Sequence, residues 1–302
     1  MLLILSSLYC TYFTYNIRMN ISQAKELFIT HLSHEKNASP RTIINYTLWI
    51  DRLIVHLQDK GVEQITRPDI LSWRKQLATT CSQKTINYHL IAVRSLLKYL
   101  IKNDINVLDP NKIELSKIPA KEVSFLTAQE VTSILKAPLI SPVTRARRDE
   151  AILYMLYWSW LRLSEMLWLK VKDIPVEWNQ FQIVGKWGKL RSVFITKEAK
   201  KKVLDYIRSR SDDCEYVFTN RFCEPLWSVS VEKLVKKYAE IAWIEKKVTP
   251  HTLRHSFATS LLAKWADLRT IQILLWHASI TTTQIYTHVS DPQLQKAHAL
   301  LD

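Results

Sequence analysis

The stretch Thr-Pro-His-Thr-Leu-Arg-His-Ser-Phe-Ala-Thr (residues 249–259) is the most informative part of this sequence. Thr249 followed by Pro250 is typical of a helix start, because threonine caps the first turn and proline fits the first helical position. His251 and Arg254 are three residues apart and therefore share one face of the predicted helix. Both lie near the positive end of the helix dipole, where anions bind well. The pattern predicts a helix that presents an imidazole and a guanidinium to an anionic ligand.

Two further clusters accompany this helix. Arg162 and Glu165 lie in Leu-Arg-Leu-Ser-Glu, directly after a very apolar helical stretch. His277 ends Leu-Leu-Trp-His, and Tyr286 stands within Thr-Gln-Ile-Tyr-Thr-His-Val. Taken singly, each has an ordinary explanation, since a lone arginine is usually a surface charge and a lone tyrosine a half-buried core aromatic. Their combination in one chain is what indicates a site.

Two short segments with alternating apolar residues predict a β-hairpin. They are Phe-Gln-Ile-Val (residues 181–184) and Arg-Ser-Val-Phe-Ile (residues 191–195). The segment between them, Gly-Lys-Trp-Gly-Lys-Leu, places Lys186 and Lys189 at a basic tip.

Metal binding and thiol chemistry are not indicated. His251 and His255 have the spacing of two zinc ligands, but the glutamate of an HExxH motif is absent and no third ligand is evident. The four cysteines form no CxxC pair, so we expect free thiols in a reducing compartment. They are Cys10, Cys81, Cys214 and Cys223.

The composition indicates a globular protein with a polyanionic partner. Lys and Arg number 42 and Asp and Glu 28, which gives a formal net charge of +14. An ordinary apolar fraction of 47% excludes a disordered chain, and such a positive surplus most often serves nucleic acid. A basic protein without such a partner is the alternative. No run of about 18 apolar residues is present, so we predict a soluble protein with no membrane partner.

The chain divides into four parts. Residues 1–18 precede a strongly patterned segment that Met19 opens, and we expect them to be a spurious or disordered extension. We predict a compact domain of four helices for residues 19–104 and a linker with two prolines for residues 105–122. Residues 123–302 are predicted to form a second, mixed domain that is mainly helical.

Capping signals define helices of the first domain. Ser39, Thr66 and Ser82 each precede an amphipathic run, and Gly61 and Ala78 mark the predicted ends of the first two of these runs.

The last helix of this domain carries polar side chains at His89 and at three basic positions, Lys84, Arg94 and Lys98. These residues form either a solvated face or a DNA-facing groove.

The set formed by Arg162, a hairpin lysine, His251, Arg254, His277 and Tyr286 resembles the catalytic signature of the tyrosine recombinases, the phage integrase family. The phrases around His251, Arg254 and Tyr286, together with Ala-Asp-Leu-Arg-Thr-Ile-Gln (residues 266–272), are specific for this family, and the chain resembles its Xer-type site-specific recombinases of bacteria most. The resemblance covers residues 20–302. It implies a mainly α fold, with a four-helix core-binding domain that clamps DNA and an α-rich catalytic domain with a small antiparallel hairpin.

The resemblance also implies a role for each residue in transesterification of a DNA phosphodiester. Tyr286 is the expected nucleophile, which forms a 3′-phosphotyrosyl bond and frees a 5′-hydroxyl. Arg162 and Arg254 are expected to grip the phosphate oxygens, because guanidinium is always charged and binds bidentately. His251 suits general base catalysis, and His277 is expected to donate a hydrogen bond to the phosphate.

A lysine of the hairpin tip is expected to protonate the leaving 5′-oxygen. Lys186 is preferred over Lys189, because it follows the first glycine as in Xer proteins. Glu165 is expected to orient the Arg162 region. Neither a metal nor ATP is needed, since the arginines balance the phosphate charge and the phosphotyrosyl ester keeps the bond energy for religation. We therefore expect no cofactor.

The implied partners are double-stranded DNA with short inverted recombination sites and a tetramer of one or two recombinases, located in the cytoplasm at the nucleoid. Chromosome dimer resolution is the preferred role, and a mobile-element integrase shares the same chemistry. A catalytically dead DNA-binding relative and a type IB topoisomerase are the alternatives outside this role.

The glycine content is abnormal. The chain has 3 glycines and 11 tryptophans, whereas average usage gives about 21 glycines in a chain of this length. Tryptophan stands where the family has glycine, and we hypothesise that UGA codons for glycine were read as tryptophan. The alternative is genuine tryptophan in a decayed recombinase. The positions are Trp160, Trp187, Trp265 and Trp276, with Trp168 and Trp243 at common glycine sites and Trp158 and Trp178 as further candidates.

Overall fold

A computed structural model of the chain describes residues 19–119, 124–140, 145–184, 190–263 and 270. The chain forms two compact units, Met1–Ala120 and Lys121–Asp302. Each has its own hydrophobic core. The predicted fold class is confirmed: the described residues are mainly helical, with a small antiparallel hairpin. None of their helices combines the length and apolar character that crossing a membrane requires.

The first unit is built on four helices: α1 Ile21–Thr30, α2 Pro40–Leu57, α3 Arg67–Ala78 and α4 Gln83–Lys102. The predicted caps at Ser39, Thr66 and Ser82 each accept a backbone N–H in the first turn of the following helix. The predicted end of α2 at Gly61 is wrong, because the helix stops at Leu57 and Gln58 adopts a left-handed conformation.

The stretch expected to be a linker begins as part of the first unit. Ile113 is 3% exposed and lies in that unit's core. The side chain of Asn87 forms two hydrogen bonds with the backbone of Ser116: it donates to the carbonyl at 2.8 Å and accepts the N–H at 3.1 Å.

In the second unit, the described residues form six α-helices and the hairpin. These elements are α5 Ala128–Ile140, α6 Ala146–Trp158, α7 Leu163–Leu167, β1 Gln180–Val184, β2 Leu190–Phe194, α8 Lys197–Arg208, α9 Ser228–Ile241 and α10 Pro250–Ala263. Helix α6 is buried along residues 149–157 and packs against α5, α8 and α10. A capping box precedes α5, since Thr127 and Glu130 each accept the other's backbone N–H.

Strands β1 and β2 pair antiparallel, so the predicted hairpin is confirmed. Phe181 faces Val193 and Ile183 faces Arg191, and all four are buried, while the alternate residues are exposed. This alternation fixes the inner face of the sheet. An arginine thereby lies on the buried face.

The expectation of free thiols is wrong for one pair of cysteines. Cys214 and Cys223 form a disulfide, with their Cα atoms 5.1 Å apart. Asn220 turns the intervening loop by accepting the backbone N–H groups of Phe222 and Glu224 on its side-chain oxygen, at 2.8 and 3.1 Å. This turn returns the chain to Cys214, which the spacing alone does not reveal. Cys81 is a free, half-buried cysteine.

Candidate active site

Helix α10 begins at the predicted cap, since Thr249 accepts the backbone N–H of Thr252 on its side-chain oxygen at 3.1 Å. Arg254, one turn into the helix, is 5% exposed. Its Nη1 donates a hydrogen bond to the carbonyl of Trp160, in the segment between α6 and α7. The chain thus holds Arg254 against the backbone two residues before Arg162.

Arg162 and Glu165 form a closed hydrogen-bonded unit at the start of α7. The backbone N–H of Arg162 donates to Oε2 of Glu165 at 2.7 Å, and its Nη1 donates to Oε1 at 3.0 Å. Burial by itself raises the pKa of the Glu165 carboxyl. The N–H of Arg162 and the charges of Arg191 and Arg162 outweigh this, so the pKa lies below its usual value. Glu165 is therefore ionised at neutral pH and hydrogen-bonded to the Arg162 guanidinium.

Arg191 is a member of this cluster that the sequence analysis missed. It is 4% exposed, and its Nη2 donates to Oε2 of Glu165. Burial lowers the pKa of Arg191, and the charge of Glu165 opposes this shift. The sequence did contain a signal, because an arginine at an inward position of an alternating strand needs a carboxylate partner. Glu165 thus connects strand β2 to Arg162.

His251 and Arg162 line the same cavity, which has a volume of about 780 Å³. Its other polar lining residues include Ser164 and Ser228, and the indoles of Trp168 and Trp227 form part of its wall. The structure therefore brings together an exposed imidazole and a half-exposed guanidinium that are 89 positions apart in sequence.

His255 has a different environment from His251. Burial, together with electrostatic repulsion from His251 and Arg254, lowers the pKa of His255 to about 4. It is therefore neutral at pH 7 and adds no charge to the cavity. Within the described ranges, the group with metal-ligand geometry is Asp212, Cys214 and Cys223. Its two sulfurs are joined in the disulfide, so they are not available as thiolate ligands.

Several predicted site residues lie outside the described residues. They are Lys186, Lys189, His277 and Tyr286. Their roles therefore stay predictions. The same holds for the glycine hypothesis at Trp187, Trp265 and Trp276.

The basic residues of α4 are partly accessible. Lys84 and Lys98 are exposed and Arg94 is half-buried, and the helical repeat places the three within one face. The interpretation of His89 as a surface residue is wrong, because its ring is fully buried between Trp49 and Trp73. This helix is the centre of the first unit and buries a wider face than its apolar residues alone indicate.

The backbone separates the candidate glycine positions into two groups. Trp160 and Trp243 have φ angles of 56° and 55°, in the left-handed region that favours glycine. The indole N–H groups of Trp158 and Trp160 are buried and have no acceptor among the described residues. By contrast, Trp168 has an ordinary φ of −91°, and Trp178 is not in the left-handed region. The geometry at positions 160 and 243 supports the glycine hypothesis there.

Both units match known sequence families. Residues 124–293 match the phage integrase family, and residues 26–104 match the phage integrase N-terminal SAM-like domain. Tyrosine recombinase XerC of Roseiflexus castenholzii is 31% identical over 92% of this chain and 93% of its own length. Tyrosine recombinase XerD of Chlorobaculum tepidum is 33% identical over 90% of this chain and 94% of its own length.

A solved structure has the same fold. The XerH site-specific recombinase bound to palindromic difH substrate superposes with a TM-score of 0.71, at 23% identity, over 93% of this chain and 84% of that chain. The sequence matches extend through both units, as the resemblance noted from the motifs implied. The chain belongs to the phage integrase family, whose members are the tyrosine recombinases.

Proposed function

We propose that the protein is a site-specific DNA recombinase that cuts and rejoins DNA through a 3′-phosphotyrosyl intermediate, in the manner of Xer recombinases. One observation carries the proposal: Arg162 and His251 line one cavity, and Arg254 donates a hydrogen bond to the carbonyl of Trp160, two residues before Arg162. Two guanidiniums and an imidazole at one place suit a phosphodiester whose oxygens gain negative charge in the transition state.

The two arginines stabilise the transition state by charge and geometry. Each guanidinium can donate two parallel hydrogen bonds to phosphate oxygens, and neither loses its proton at any physiological pH. Glu165 holds Arg162 from the side away from solvent, because its carboxylate is only 12% exposed. The guanidinium is then oriented before the substrate binds, which avoids reorganisation during the reaction.

Proton transfers complete the proposed reaction. The phenol of Tyr286 attacks phosphorus while His251 accepts its proton, since a free phenol has a pKa of about 10 and is mostly protonated at pH 7. The P–O5′ bond breaks, and Lys186, or Lys189 in the alternative, supplies a proton to the leaving oxygen. His277 donates a hydrogen bond to a phosphate oxygen. Attack by a 5′-hydroxyl on the phosphotyrosyl bond reverses the sequence, so the number of ester bonds is unchanged and ATP is not consumed.

The proposed partners follow from the relatives and from the charge. The relatives are named XerC and XerD, and the XerH relative is bound to its palindromic difH substrate. We therefore propose duplex DNA with short inverted sites as substrate and a tetramer of one or two recombinases as the active assembly, acting in the cytoplasm at the nucleoid. Lys84, Arg94 and Lys98 of α4 are proposed to contact DNA.

A covalent trapping experiment tests this function. The wild-type protein first selects its site from a randomised duplex pool, and a nicked version of that site then prevents religation. We expect a protein–DNA complex that survives denaturation with the wild type and with the control variant Tyr216→Phe, and none with Tyr286→Phe. DNA binding without any covalent complex, both in the wild type and in Trp160→Gly, would reject the recombinase function. Relaxation of a plasmid lacking the site would favour a topoisomerase.

A second function, DNA binding without catalysis, depends on whether Trp160, whose backbone is left-handed, is genuine. If this tryptophan is genuine, the printed sequence has a strained, decayed site. Trapping by Trp160→Gly but not by the printed sequence would support the glycine hypothesis, whereas trapping by neither would support the binding protein. A mobile-element role differs only in the sites used, which selection from the organism's genome distinguishes.

A further inference from the structure

A second and larger cavity of the C-terminal unit, of about 920 Å³, is unusually rich in arginine. Its walls come from the first turn of α6, the loop after α8, and the first half of α9. Five arginines line it against one carboxylate, that of Asp212. None of these arginines belongs to the candidate active site.

Two of the five arginines are fixed parts of the wall. Arg148 donates to Asp149 from Nε at 2.9 Å and from Nη2 at 2.7 Å. Arg210 pairs with Asp212, and its Nη1 also donates to the carbonyls of Tyr216 and Val217, at 2.8 and 3.1 Å. Asp149 and Asp212 balance their charges, so these two arginines have a structural role.

The other three arginines have no such balance. Arg145, Arg147 and Arg221 are exposed, and within the described ranges no carboxylate lies at salt-bridge distance from them. Arg221 lies over the ring of Phe222, with 4.6 Å between the guanidinium carbon and the ring centroid. Three guanidiniums around one cavity repel each other, and an anion with several acceptor oxygens removes this repulsion.

The position of the cavity indicates which anion it takes. Leu226 and Trp227 line both this cavity and the one that contains Arg162 and His251, so the two are adjacent. Duplex DNA carries one negative charge per about 1.7 Å of helix axis, so a duplex with one phosphate at Arg162 presents further phosphates nearby.

We propose that Arg145, Arg147 and Arg221 form a second phosphate-binding site, which holds the DNA backbone next to the phosphate that is cut. This assignment rests on the proposed function, because duplex DNA is the ligand that the proposed function implies. The site adds affinity and register without reading bases, because phosphate contacts carry no sequence information.

The salt dependence of DNA binding tests the site. Fluorescence anisotropy with a labelled 30-base-pair duplex, at several KCl concentrations, gives the slope of log K against log [KCl]. Each phosphate contact contributes about 0.9 to this slope. We expect Arg147→Gln and Arg221→Gln each to reduce its magnitude by about 0.9. The matched controls Lys197→Gln and Lys201→Gln, which remove exposed charges of α8 outside both cavities, are expected to leave it unchanged.

Three outcomes decide the proposal. Slopes that stay at the wild-type value in both arginine variants overturn it, provided that circular dichroism shows them folded. In a second outcome, inorganic pyrophosphate raises the melting temperature of the wild type but not of the variant that carries both Arg147→Gln and Arg221→Gln, while the salt slopes of DNA binding are unchanged. The cavity then binds a small anion and the DNA assignment is wrong. If the slopes fall while covalent trapping through Tyr286 fails, the phosphate site stands and the recombinase function does not.

Discussion

The left-handed backbone at Trp243 provides a quantitative test of the glycine hypothesis. Trp243 has a φ of 55° and its side chain is 92% exposed, so replacing it by glycine removes strain and almost no packing. A bulky residue in this region costs about 1–3 kcal/mol, and glycine costs about 0.5–1 kcal/mol in lost chain entropy. Trp243→Gly should therefore stabilise the protein by about 1 kcal/mol.

Trp178 is the matched control. It is 73% exposed, and its backbone is not left-handed. Trp178→Gly has no strain to relieve, so the entropy cost alone should destabilise the protein by about 0.5–1 kcal/mol. The two substitutions are the same chemically and differ in the sign of their effect.

The assay is urea unfolding followed by far-UV circular dichroism, because tryptophan fluorescence changes with either substitution. The unfolding midpoint of the second unit is compared between variant and wild type. Where the dependence of the unfolding free energy on urea concentration is the same, a shift in midpoint reports a change in stability. If Trp243→Gly lowers the midpoint as much as Trp178→Gly does, the backbone at position 243 does not require glycine. The hypothesis then loses its structural support there.

Three other predictions concern the cluster around Arg162. Arg191→Met should destabilise the protein by about 3–5 kcal/mol in thermal unfolding, because it leaves the buried Glu165 carboxylate without one partner, and Arg191→Lys should recover part of this. Because the pKa of Glu165 is lower in the folded protein than its ordinary value of 4.5, ionised Glu165 stabilises the fold above pH 4.5, and this stabilisation is lost as the pH falls through the folded pKa. Glu165→Gln should therefore flatten the pH dependence of the melting temperature in this acidic range. An unchanged profile would contradict the ion pair. Lys186→Ala should slow cleavage of a normal site about 10²–10⁴-fold. Cleavage of a 5′-bridging phosphorothiolate site should not be slowed, because its thiolate leaves without a proton. Equal loss on both substrates would show that Lys186 is not the acid, and so would a loss that is confined to the normal site in Lys189→Ala alone.

Local sequence signals predicted the elements well. The caps at Ser39, Thr66, Ser82 and Thr249 depend only on a side chain and the next turn of backbone, so they are readable from neighbouring residues. The hairpin was also readable, because alternation and a glycine-containing tip are local properties.

Contacts between distant residues were not predictable in this way. Arg191 pairs with Glu165 only because the hairpin packs beside α7, and Cys214 meets Cys223 only because Asn220 turns the loop between them. His89 was misplaced for a related reason, since the burial of a helix face depends on the number of neighbours that pack on it. The candidate site itself was named from motif residues, while the residues that support it required the fold.

In the proposed reaction, Tyr286 becomes joined to a DNA 3′-phosphate at the site of Arg162, His251 and Arg254. The most direct measurement is mass spectrometry of the trapped complex after nuclease and protease digestion. We expect a nucleotide-bearing peptide whose modified residue is Tyr286, with the phosphate on the 3′ side of the cleaved bond. A covalent link at another residue, or a 5′-phosphate link, would contradict it.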